Sequence, residues 1–284
     1  NADRAMYHVK NLGKNNFNFF SSVLNDEASK RLHLEQDLHL ALSQQQLELY
    51  YQPQYQLDNN ALYGLEALVR WIHPEYGIVT PDVFIPIAES CGLINQIDNW
   101  VLESACKHMQ SWQQQGIAPG RLSINLSALL FAKVDLAEQV TQLLSENQID
   151  PDSIELEITE NVLMSDTAQT LMTLNSFQEN KLHIAIDDFG TGYSSLAYLS
   201  HFPFSTLKID QGFISKLSTD KSVSIIVKAV IQMARELGYK IIAEGVETEA
   251  QLDFLKKYQC QYAQGFLFSK PLNITATVSL LRAP

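Results

Sequence analysis

Residues 183–196 read HIAIDDFGTGYSSL, and the interpretation of the whole chain starts from this stretch. An apolar run leads into two adjacent acids, Asp187 and Asp188, and then into a loop that contains Gly190 and Gly192. A short apolar run bounded by turn residues is typical of a buried strand. The two carboxylates therefore lie where the strand leaves the core, and such a pair can bind a hard cation. For an isolated pair, the better explanation would be that one Asp caps the next helix and the other is solvated. The rest of the chain decides between this explanation and a cation site.

The same design, a short apolar strand followed by a polar residue, recurs along the chain between helical segments. Besides the strand that begins at residue 183, the pattern predicts strands over 122–126, 154–158, 206–210, 240–245 and 262–268. It predicts helices over 81–91, 94–115, 136–147, 167–180, 221–237, 249–258 and 274–281. Strands that alternate with helices in this way indicate a parallel α/β fold.

Two more strands come first, over residues 47–56 and 61–71, and Asp58, Asn59 and Asn60 separate them. A short Asn/Asp turn between such runs predicts a hairpin, so these two strands should be antiparallel. Together with the later strands they make eight, the number that closes a TIM-type barrel. The expected fold is therefore an α/β barrel that begins with a hairpin.

Polar side chains stand at or near the ends of the later strands. They are Asn125, Glu157, Asp187 with Asp188, Lys208, Glu244 and Gln264. In a TIM barrel the carboxyl ends of the strands form the rim where chemistry takes place. One carboxylate there could simply cap a helix, but so many acids around one mouth would repel each other without cations. Glu155 should point into the same interior, and we expect it to be a buried group with a partner rather than a ligand.

Composition excludes some classes of function. The chain has 284 residues, 46% of them apolar, and a net charge of −12, which argues against a nucleic-acid polymer as partner. Its three cysteines, Cys91, Cys106 and Cys260, are too few and too far apart for a disulfide scaffold and fit a reducing cytoplasm. No apolar run is long enough to span a membrane. The start has neither Met nor a signal-like segment, so we expect a piece of a longer protein.

The ligand types predict the metal. Oxygen and amide ligands without His or Cys suit Mg²⁺ or Mn²⁺ better than zinc. The carboxylates outnumber what one ion needs, so the sequence predicts two ions, which can activate a water and hold a phosphoryl centre in line. Lys208 would donate to that water or to a phosphate oxygen, and Arg70 would offer a bidentate phosphate contact.

A family resemblance rests on motifs that occur together and in order. They are YQP at 51–53, EAL at 66–68, INLSA at 124–128, ELEITE at 155–160, DDFGTGYSSL at 187–196, KID at 208–210, AEGVE at 243–247 and QGF at 264–266. Over residues 32–284 the chain resembles the EAL-domain phosphodiesterases. The resemblance implies a TIM-like (β/α)8 barrel whose first strand is antiparallel. It also implies hydrolysis of cyclic di-GMP, a bacterial second messenger, to linear pGpG with Mg²⁺ or Mn²⁺.

The resemblance also implies roles for single residues. Lys208 and Glu66 would be catalytic, and the metal ligands would be Glu66, Asn125, Glu157, Asp187, Asp188 and Glu244. The groove for cyclic di-GMP would include Gln52, Leu68, Arg70, Asp210, Glu247, Gln264 and Phe266, with Arg70 on phosphate and Gln52 and Asp210 near guanine. A regulatory loop that links metal binding to a homodimer interface would include Glu160, Gly190 and Gly192. No predicted ligand position departs from the family pattern.

The beginning of the chain suggests a different neighbour. Residues 1–22 resemble the last helix and strand of a GGDEF (diguanylate cyclase) domain, without its signature motif. The polar residues 23–31 predict a linker, and a helix follows over 32–42, where the EAL phosphodiesterase domain of residues 32–284 begins. We expect GGDEF and sensory domains upstream in the full-length protein, which acts in the cytoplasm and could be anchored to the membrane by segments outside this sequence.

Two other functions stay open on the sequence alone. The chain could be a receptor or regulatory module that binds cyclic di-GMP without hydrolysing it. It could also be a Schiff-base aldolase, because a lysine at the end of a barrel strand can be the nucleophile. The surrounding acids disfavour the aldolase, since they stabilise the charged form of Lys208.

Overall fold

The computed structural model describes residues 22–164, 167–190 and 202–282. The strands are β1 (Leu47–Gln56), β2 (Leu62–His73), β3 (Gly77–Val79), β4 (Arg121–Asn125), β5 (Ile154–Thr159), β6 (His183–Phe189), β7 (Thr206–Ile209), β8 (Lys240–Ala243) and β9 (Tyr262–Ala263). The α-helices are α1 (Ser22–Ala41), α2 (Pro81–Ser90), α3 (Ile94–Gln114), α4 (Ala128–Phe131), α5 (Leu136–Glu146), α6 (Thr167–Glu179), α7 (Gln211–Ile214), α8 (Lys221–Glu236), α9 (Glu249–Lys257) and α10 (Ile274–Leu281). Short 3-10 helices at Pro151–Ser153 and Glu160–Met164 flank β5.

Eight of the strands close into a barrel. The strands from β4 to β9 pair in parallel, each with the next, and β2 pairs in parallel with β4. The barrel closes through β1, which pairs with β2 on one side and antiparallel with β9 on the other. The structure thus confirms a TIM-like α/β barrel with an antiparallel first strand. The short β3, which the sequence analysis did not predict, pairs antiparallel with the end of β2.

Alternation along the strands places the polar side chains of the site inside the barrel. In β5, Glu155 and Glu157 are fully buried and share one face, because successive side chains of a strand point to opposite sides. The apolar residues Ile154, Leu156 and Ile158 take the other face and are equally buried. Strands of a parallel barrel are covered outside by helices. The acids of β5 are therefore held in the interior, which is where a charge is costly.

The last strand is much shorter than predicted. The pattern predicted a strand over 262–268, whereas β9 ends at Ala263. The chain leaves the sheet at Gly265, whose φ is +157°, and packs closely against the backbone of Val246. A Cβ at position 265 would lie 2.2 Å from the backbone nitrogen and oxygen of Val246, so only glycine fits there. The two backbones exchange hydrogen bonds at this approach, Val246 N to Gln264 O (3.1 Å) and Leu267 N to Val246 O (2.9 Å). These bonds replace a strand ladder.

The described residues divide into two compact units, one within 48–70 and 94–282, and one within 22–47 and 71–93. In the second unit, helix α1 begins at Ser22 and is continuous to Ala41. The helix is therefore longer than the predicted one over 32–42, and the predicted linker 23–31 is helical. Residues 1–21, with the resemblance to a GGDEF domain, lie outside the described residues.

In that unit, His73 holds α1 and the β2–β3 hairpin together. Its Nε2 lies 3.1 Å from an Asp37 carboxylate oxygen, and its Nδ1 accepts hydrogen bonds from the backbone N–H groups of Glu75 and Tyr76. Within the described ranges, no helix has the length and apolar composition that a membrane crossing requires.

Candidate active site

Lys208, from β7, is the centre of the polar cluster in the barrel. Its side chain is fully buried, and four carboxylates surround its ammonium group. The distances from Nζ are 3.4 Å to Glu66, 2.5 Å to Glu157, 3.2 Å to Asp187 and 2.7 Å to Glu244. Four strands, β2, β5, β6 and the end of β8, thus aim an acid at one point. Three of these acids were predicted from strand ends, and Glu66 lies within β2.

Two side-chain amides complete the cluster. Asn125 Nδ2 donates to Glu66 Oε1 over 2.9 Å. Gln264 Nε2 donates to both Glu66 Oε2 (2.5 Å) and Glu244 Oε1 (3.0 Å). Behind it, Gln54 Nε2 donates to Gln264 Oε1 over 3.0 Å. Six of the seven predicted catalytic and metal-binding positions are therefore joined by side-chain contacts, and the backbone N–H of the seventh, Asp188, donates to Asp187 Oδ1 over 3.0 Å.

The carboxylates form two groups in which a cation would fit. One oxygen from each of Glu66, Glu157 and Asp187 lies within 4.8 Å of the others, and the same holds for Asp187, Asp188 and Glu244. Asp187 belongs to both groups. The Glu157 Oε1 atom is buried and accepts no hydrogen bond among the described residues. Because a buried carboxylate oxygen without a partner is costly, this atom fits a ligand of a hard divalent cation. Metal binding by these residues stays a prediction.

The adjacent acids Asp187 and Asp188 reach the same mouth because β6 is irregular at its end. In a regular strand their side chains would point to opposite faces. Here the pairing of β6 with β7 shifts register between Ile186 and Phe189, and Asp188 adopts a left-handed backbone with φ of +54°. Asp tolerates that conformation better than most residues. The bulge therefore turns both carboxylates towards the cluster, as bulges often do beside active sites.

The electrostatics of the cluster reflect more acids than donors. Burial lowers the pKa of Lys208, but Asp187, Glu157 and the other acids outweigh this and hold it well above its usual range. Burial raises the pKa of Glu157 and Glu244 well above the usual range of a carboxyl group, although Lys208 opposes it. Burial and the neighbouring Asp187 raise the pKa of Asp188 to about 6.

Glu66 and Asp187 differ in how well their charge is stabilised. Burial raises the pKa of Glu66, but Lys208 and the two amides outweigh it, so that the pKa of this carboxyl lies below its usual value. Burial keeps the pKa of Asp187 above its usual value, even with Lys208 beside it. The cluster without cations therefore holds one well-stabilised carboxylate and several poorly stabilised ones. Divalent cations would remove that imbalance.

The predicted regulatory loop begins next to the cluster. Glu160, only 2% exposed, follows β5, and its Oε2 accepts a hydrogen bond from the backbone N–H of Gly190 over 2.8 Å. Gly190 has a φ of +98°, and a Cβ there would lie 2.8 Å from the ring of Phe213. Both the backbone conformation and the close ring require glycine. Gly192 lies outside the described residues.

The positions predicted to bind the nucleotide lie on β1 and β2 and on the segments that follow β7, β8 and β9. Gln52 Nε2 donates to Ser269 O over 3.2 Å, and Asp210 caps α7 by accepting from Gly212 N over 2.9 Å. The Arg70 guanidinium lies 5.9 Å from the centre of the Tyr50 ring. Their roles towards a nucleotide stay predictions.

The other predicted groove positions differ in exposure. Leu68 is half-buried on β2, two residues after Glu66, and Glu247 is exposed after β8. Phe266 exposes 56% of its surface, and Lys270 Nζ lies 5.5 Å from the centre of its ring. A large exposed aromatic side chain near a polar mouth can stack on a base. Among these positions, only Gln264 is bonded to the acidic cluster by a described contact.

One residue of the network was absent from the predicted site. Gln54 has no exposed surface, and it is the donor that contacts the carbonyl oxygen of Gln264. The alternation of β1 places it on the same face as Gln52, and that was the available signal. The sequence alone did not say which residue lies across from it.

Comparisons with known proteins show which family the chain resembles. Residues 35–271 match the family model described as EAL domain. The chain is 46% identical over 272 residues to the bifunctional diguanylate cyclase/cyclic di-GMP phosphodiesterase MucR of Pseudomonas aeruginosa, covering 96% of this chain and 40% of that protein. It is 42% identical over 283 residues to the cyclic di-GMP phosphodiesterase NbdA of the same organism, covering 100% of this chain and 36% of that protein.

A solved structure described as PaMucR phosphodiesterase in complex with c-di-GMP has a TM-score of 0.83 at 45% identity, and the match covers 86% of this chain and 99% of that one. The chain therefore spans less than half the length of the two curated relatives but nearly all of this solved domain.

Proposed function

The chain belongs to the EAL domain family, and from this premise we propose that it hydrolyses cyclic di-GMP to linear pGpG with the help of divalent cations. The relatives MucR and NbdA are named as cyclic di-GMP phosphodiesterases, and the solved domain of MucR is described in complex with cyclic di-GMP. The activity and partners of the whole protein belong to this proposal, because the chain matches only part of its relatives.

One observation carries the proposal: four buried carboxylates converge on the single ammonium group of Lys208. Taking an ionised carboxylate out of water costs several kcal/mol even after relaxation. One lysine cannot neutralise four of them. A cluster with this excess of negative charge is suited to divalent cations, and a phosphodiester is a substrate whose own negative charge such cations would offset.

We propose two ions, Mg²⁺ or Mn²⁺, one held by Glu66, Asn125, Glu157 and Asp187 and the other by Asp187, Asp188 and Glu244. Such ions supply Lewis-acid stabilisation of the developing charge and favour deprotonation of an attacking water. Carboxylate and amide oxygens are the ligands that these hard cations prefer. For Asn125 this requires its carbonyl oxygen, because its amide nitrogen donates to Glu66.

Hydrolysis adds one water across a phosphodiester. The water oxygen bonds to phosphorus, one P–O ester bond breaks, and the departing sugar oxygen takes up a proton. Lys208 would orient the attacking water or donate to a phosphate oxygen, because its ammonium group is fixed among the carboxylates and stays charged. Glu66 would be fixed in the ionised form by Lys208 and two amides, which suits a ligand that must not protonate.

Substrate binding would use the groove positions around the mouth. Arg70 would contact a phosphate with its planar guanidinium group. Gln52 and Asp210 would lie near guanine, and Phe266 would stack on a base. Leu68, Glu247 and Gln264 would line the remainder of the groove. These assignments come from the family pattern, and the exposure of Phe266 supports its part of them.

We further propose that activity responds to assembly and to the upstream part of the protein, in the cytoplasm. Glu160 and the loop that starts at Gly190 would link the cluster to a homodimer interface, because the Glu160–Gly190 hydrogen bond ties the end of β5 to the end of β6. The exposed Ile225 and Ile226 of α8, at 60% and 46%, offer apolar surface for a second copy.

The direct experiment is a hydrolysis assay with cyclic di-GMP and Mn²⁺, in which chromatography separates substrate from product. We expect pGpG to accumulate with Mn²⁺ or Mg²⁺ and to stop accumulating when EDTA is added. Lys208→Met should lower kcat by about 100-fold, the order of a lost charge-assisted donor to the reacting groups. As a control, Asp152→Asn removes an exposed carboxylate bonded to His183 and should leave kcat unchanged.

Calorimetry with Ca²⁺ distinguishes hydrolysis from binding alone, because Ca²⁺ takes oxygen ligands with a less strict geometry than Mg²⁺. Binding of cyclic di-GMP in Ca²⁺ with turnover in Mn²⁺ supports the phosphodiesterase. Binding in both metals without any turnover would reject it in favour of a receptor.

A further inference from the structure

Gln54 lies opposite Gln264 across the junction that closes the barrel. The antiparallel register of β1 and β9 pairs Tyr55 with Ala263 and Gln56 with Tyr262. One step further along the same register, Gln54 faces Gln264. Side chains that face each other across an antiparallel pair are close enough to bond.

The direction of the amide chain follows from the carboxylates. As ligands of a cation, Glu66 and Glu244 would both be ionised and could only accept hydrogen bonds, and the Gln264 NH₂ group is turned towards both of them. Its carbonyl oxygen then faces away from the cluster and needs a donor. The Gln54 NH₂ group is that donor, at 3.0 Å. The Gln54 carbonyl oxygen is buried and has no hydrogen bond among the described residues. A flip of either amide would therefore break this chain.

Gln264 connects the two groups of carboxylates. Glu66 belongs to the first group and Glu244 to the second, and the Gln264 amide nitrogen is bonded to both. An amide bonded to two ligands fixes their separation and orientation. Groups that orient metal ligands in this way commonly change metal affinity or activity by 10- to 100-fold when they are removed.

We infer that Gln54 is a positioning residue for the metal centre: by holding the Gln264 amide in one orientation, it fixes Glu66 and Glu244 relative to each other. The inference rests on the proposed function, because it takes these acids as ligands of divalent cations. Gln54 touches neither acid by any described hydrogen bond, and it acts through Gln264. The Gln54 acceptor is unpaired among the described residues, so the hydrogen bond to Gln264 is the one described bond that its amide makes.

The test is a double-mutant cycle with Gln54→Met and Gln264→Leu. Met is unbranched like Gln and removes only the amide. We expect Gln54→Met to weaken Mn²⁺ binding, measured by calorimetry without nucleotide, by about tenfold. We expect kcat for cyclic di-GMP to fall by a similar factor and KM to stay within about twofold. In the Gln264→Leu background, Gln54→Met should have no further effect, because the residue through which it acts is gone.

Gln110→Leu is the matched control. Gln110 lies on α3, away from the cluster, and its amide donates to Asn147 O over 3.2 Å. It should leave Mn²⁺ binding and kcat unchanged. Wild-type Mn²⁺ affinity in Gln54→Met, or an undiminished effect in the Gln264→Leu background, overturns the inference. If Gln54→Met does not fold by circular dichroism, Gln54→Leu takes its place with the same expectations. Mn²⁺ binding that depends on Gln54 in a protein without turnover would support the inference while rejecting the proposed phosphodiesterase.

Discussion

Two glutamates that lie two residues apart on β5 have opposite surroundings. Glu155 accepts hydrogen bonds from Arg121, Ser123, Ser205 and Thr206, the last over 2.6 Å. Glu157 shares the one ammonium of Lys208 with three other carboxylates and leaves one oxygen without a partner among the described residues. Both side chains are buried in the same barrel. The protein therefore supplies hydrogen-bond donors to both oxygens of the buried Glu155, but it does not do so for Glu157 at the mouth of the barrel.

The difference separates structure from function. Around Glu155, donors outnumber the carboxylate oxygens, so the charge needs nothing from outside the chain. Around Lys208, acids outnumber donors, and the cost of burying them is not offset by the protein itself. We call these two regions the floor cluster (Arg121, Ser123, Glu155, Ser205, Thr206) and the mouth cluster (Glu66, Glu157, Asp187, Lys208, Glu244). The comparison predicts that cations affect only the mouth cluster.

The largest expected effect is that of Asp187→Ala. Because Asp187 belongs to both groups of carboxylates, its loss should disturb both proposed ions and lower kcat/KM at least about 1000-fold, on the order of 4 kcal/mol. Steady-state hydrolysis of cyclic di-GMP measures it. Glu155→Gln, in the floor cluster, should stay within about threefold of the wild type. Equal losses from both changes would remove the distinction between the clusters.

The next effect is stabilisation by the metal. Mn²⁺ at 100 times its Kd should raise the free energy of unfolding by about 2.7 kcal/mol for each ion bound, since it binds the native state only. Urea unfolding with Mn²⁺ and with EDTA gives the difference. Asp187→Asn should abolish it, and Arg121→Met should retain it. A metal effect that survives in Asp187→Asn would place the ions elsewhere.

Arg121→Met should destabilise the protein without changing its chemistry. It removes one charged donor from Glu155 and leaves three hydroxyl donors, so we expect a loss of about 1–3 kcal/mol in the free energy of unfolding. The loss should be the same with Mn²⁺ and with EDTA, and kcat should not change. A fall in kcat at full folding would mean that the floor cluster takes part in catalysis.

The smallest effect is a gain in stability from Asp188→Asn in EDTA. Burial and Asp187 raise the pKa of Asp188 from 3.8 to about 6 in the folded protein. As pH rises, the carboxyl group of Asp188 therefore ionises at a lower pH in the unfolded chain than in the folded protein. At pH values above about 6 the ionised group destabilises the folded state. Asn should add less than about 1 kcal/mol at pH 7, because the site is partly exposed to solvent.

The gain should become much smaller as pH falls from 6 to 4, because Asp188 is then protonated in the folded protein and already partly protonated in the unfolded chain, whose pKa is 3.8. Asn also tolerates the left-handed backbone of position 188, so no new strain is expected. Melting temperatures of the wild type and of Asp188→Asn, measured in EDTA at pH 7 and at pH 4, give the gain at each pH. A gain of equal size at pH 4 would show that charge is not its cause.

Much of the fold was predictable because its signals are local. Alternation, turn residues and helix periodicity predicted the eight strands and the helices that follow them, with most ends within two residues. The predicted end of the last strand was wrong, because a close approach of two backbones at Gly265 ends the strand early. The apolar content of the sequence gives no sign of such an approach. Glu155 was predicted to be a buried group with a partner rather than a ligand, and its burial and its hydrogen-bond partners are confirmed.

The sequence by itself determined which side chains stand at the ends of the barrel strands, because that follows from strand length and alternation. It determined the acidic excess that points to cations. Only the tertiary structure decided which acids share Lys208, that a bulge brings Asp188 to the mouth, and that Gln54 lies across from Gln264. Those contacts depend on strand register and on barrel closure, which join segments that are distant in the sequence. No local pattern in the chain encodes which residues become neighbours in this way.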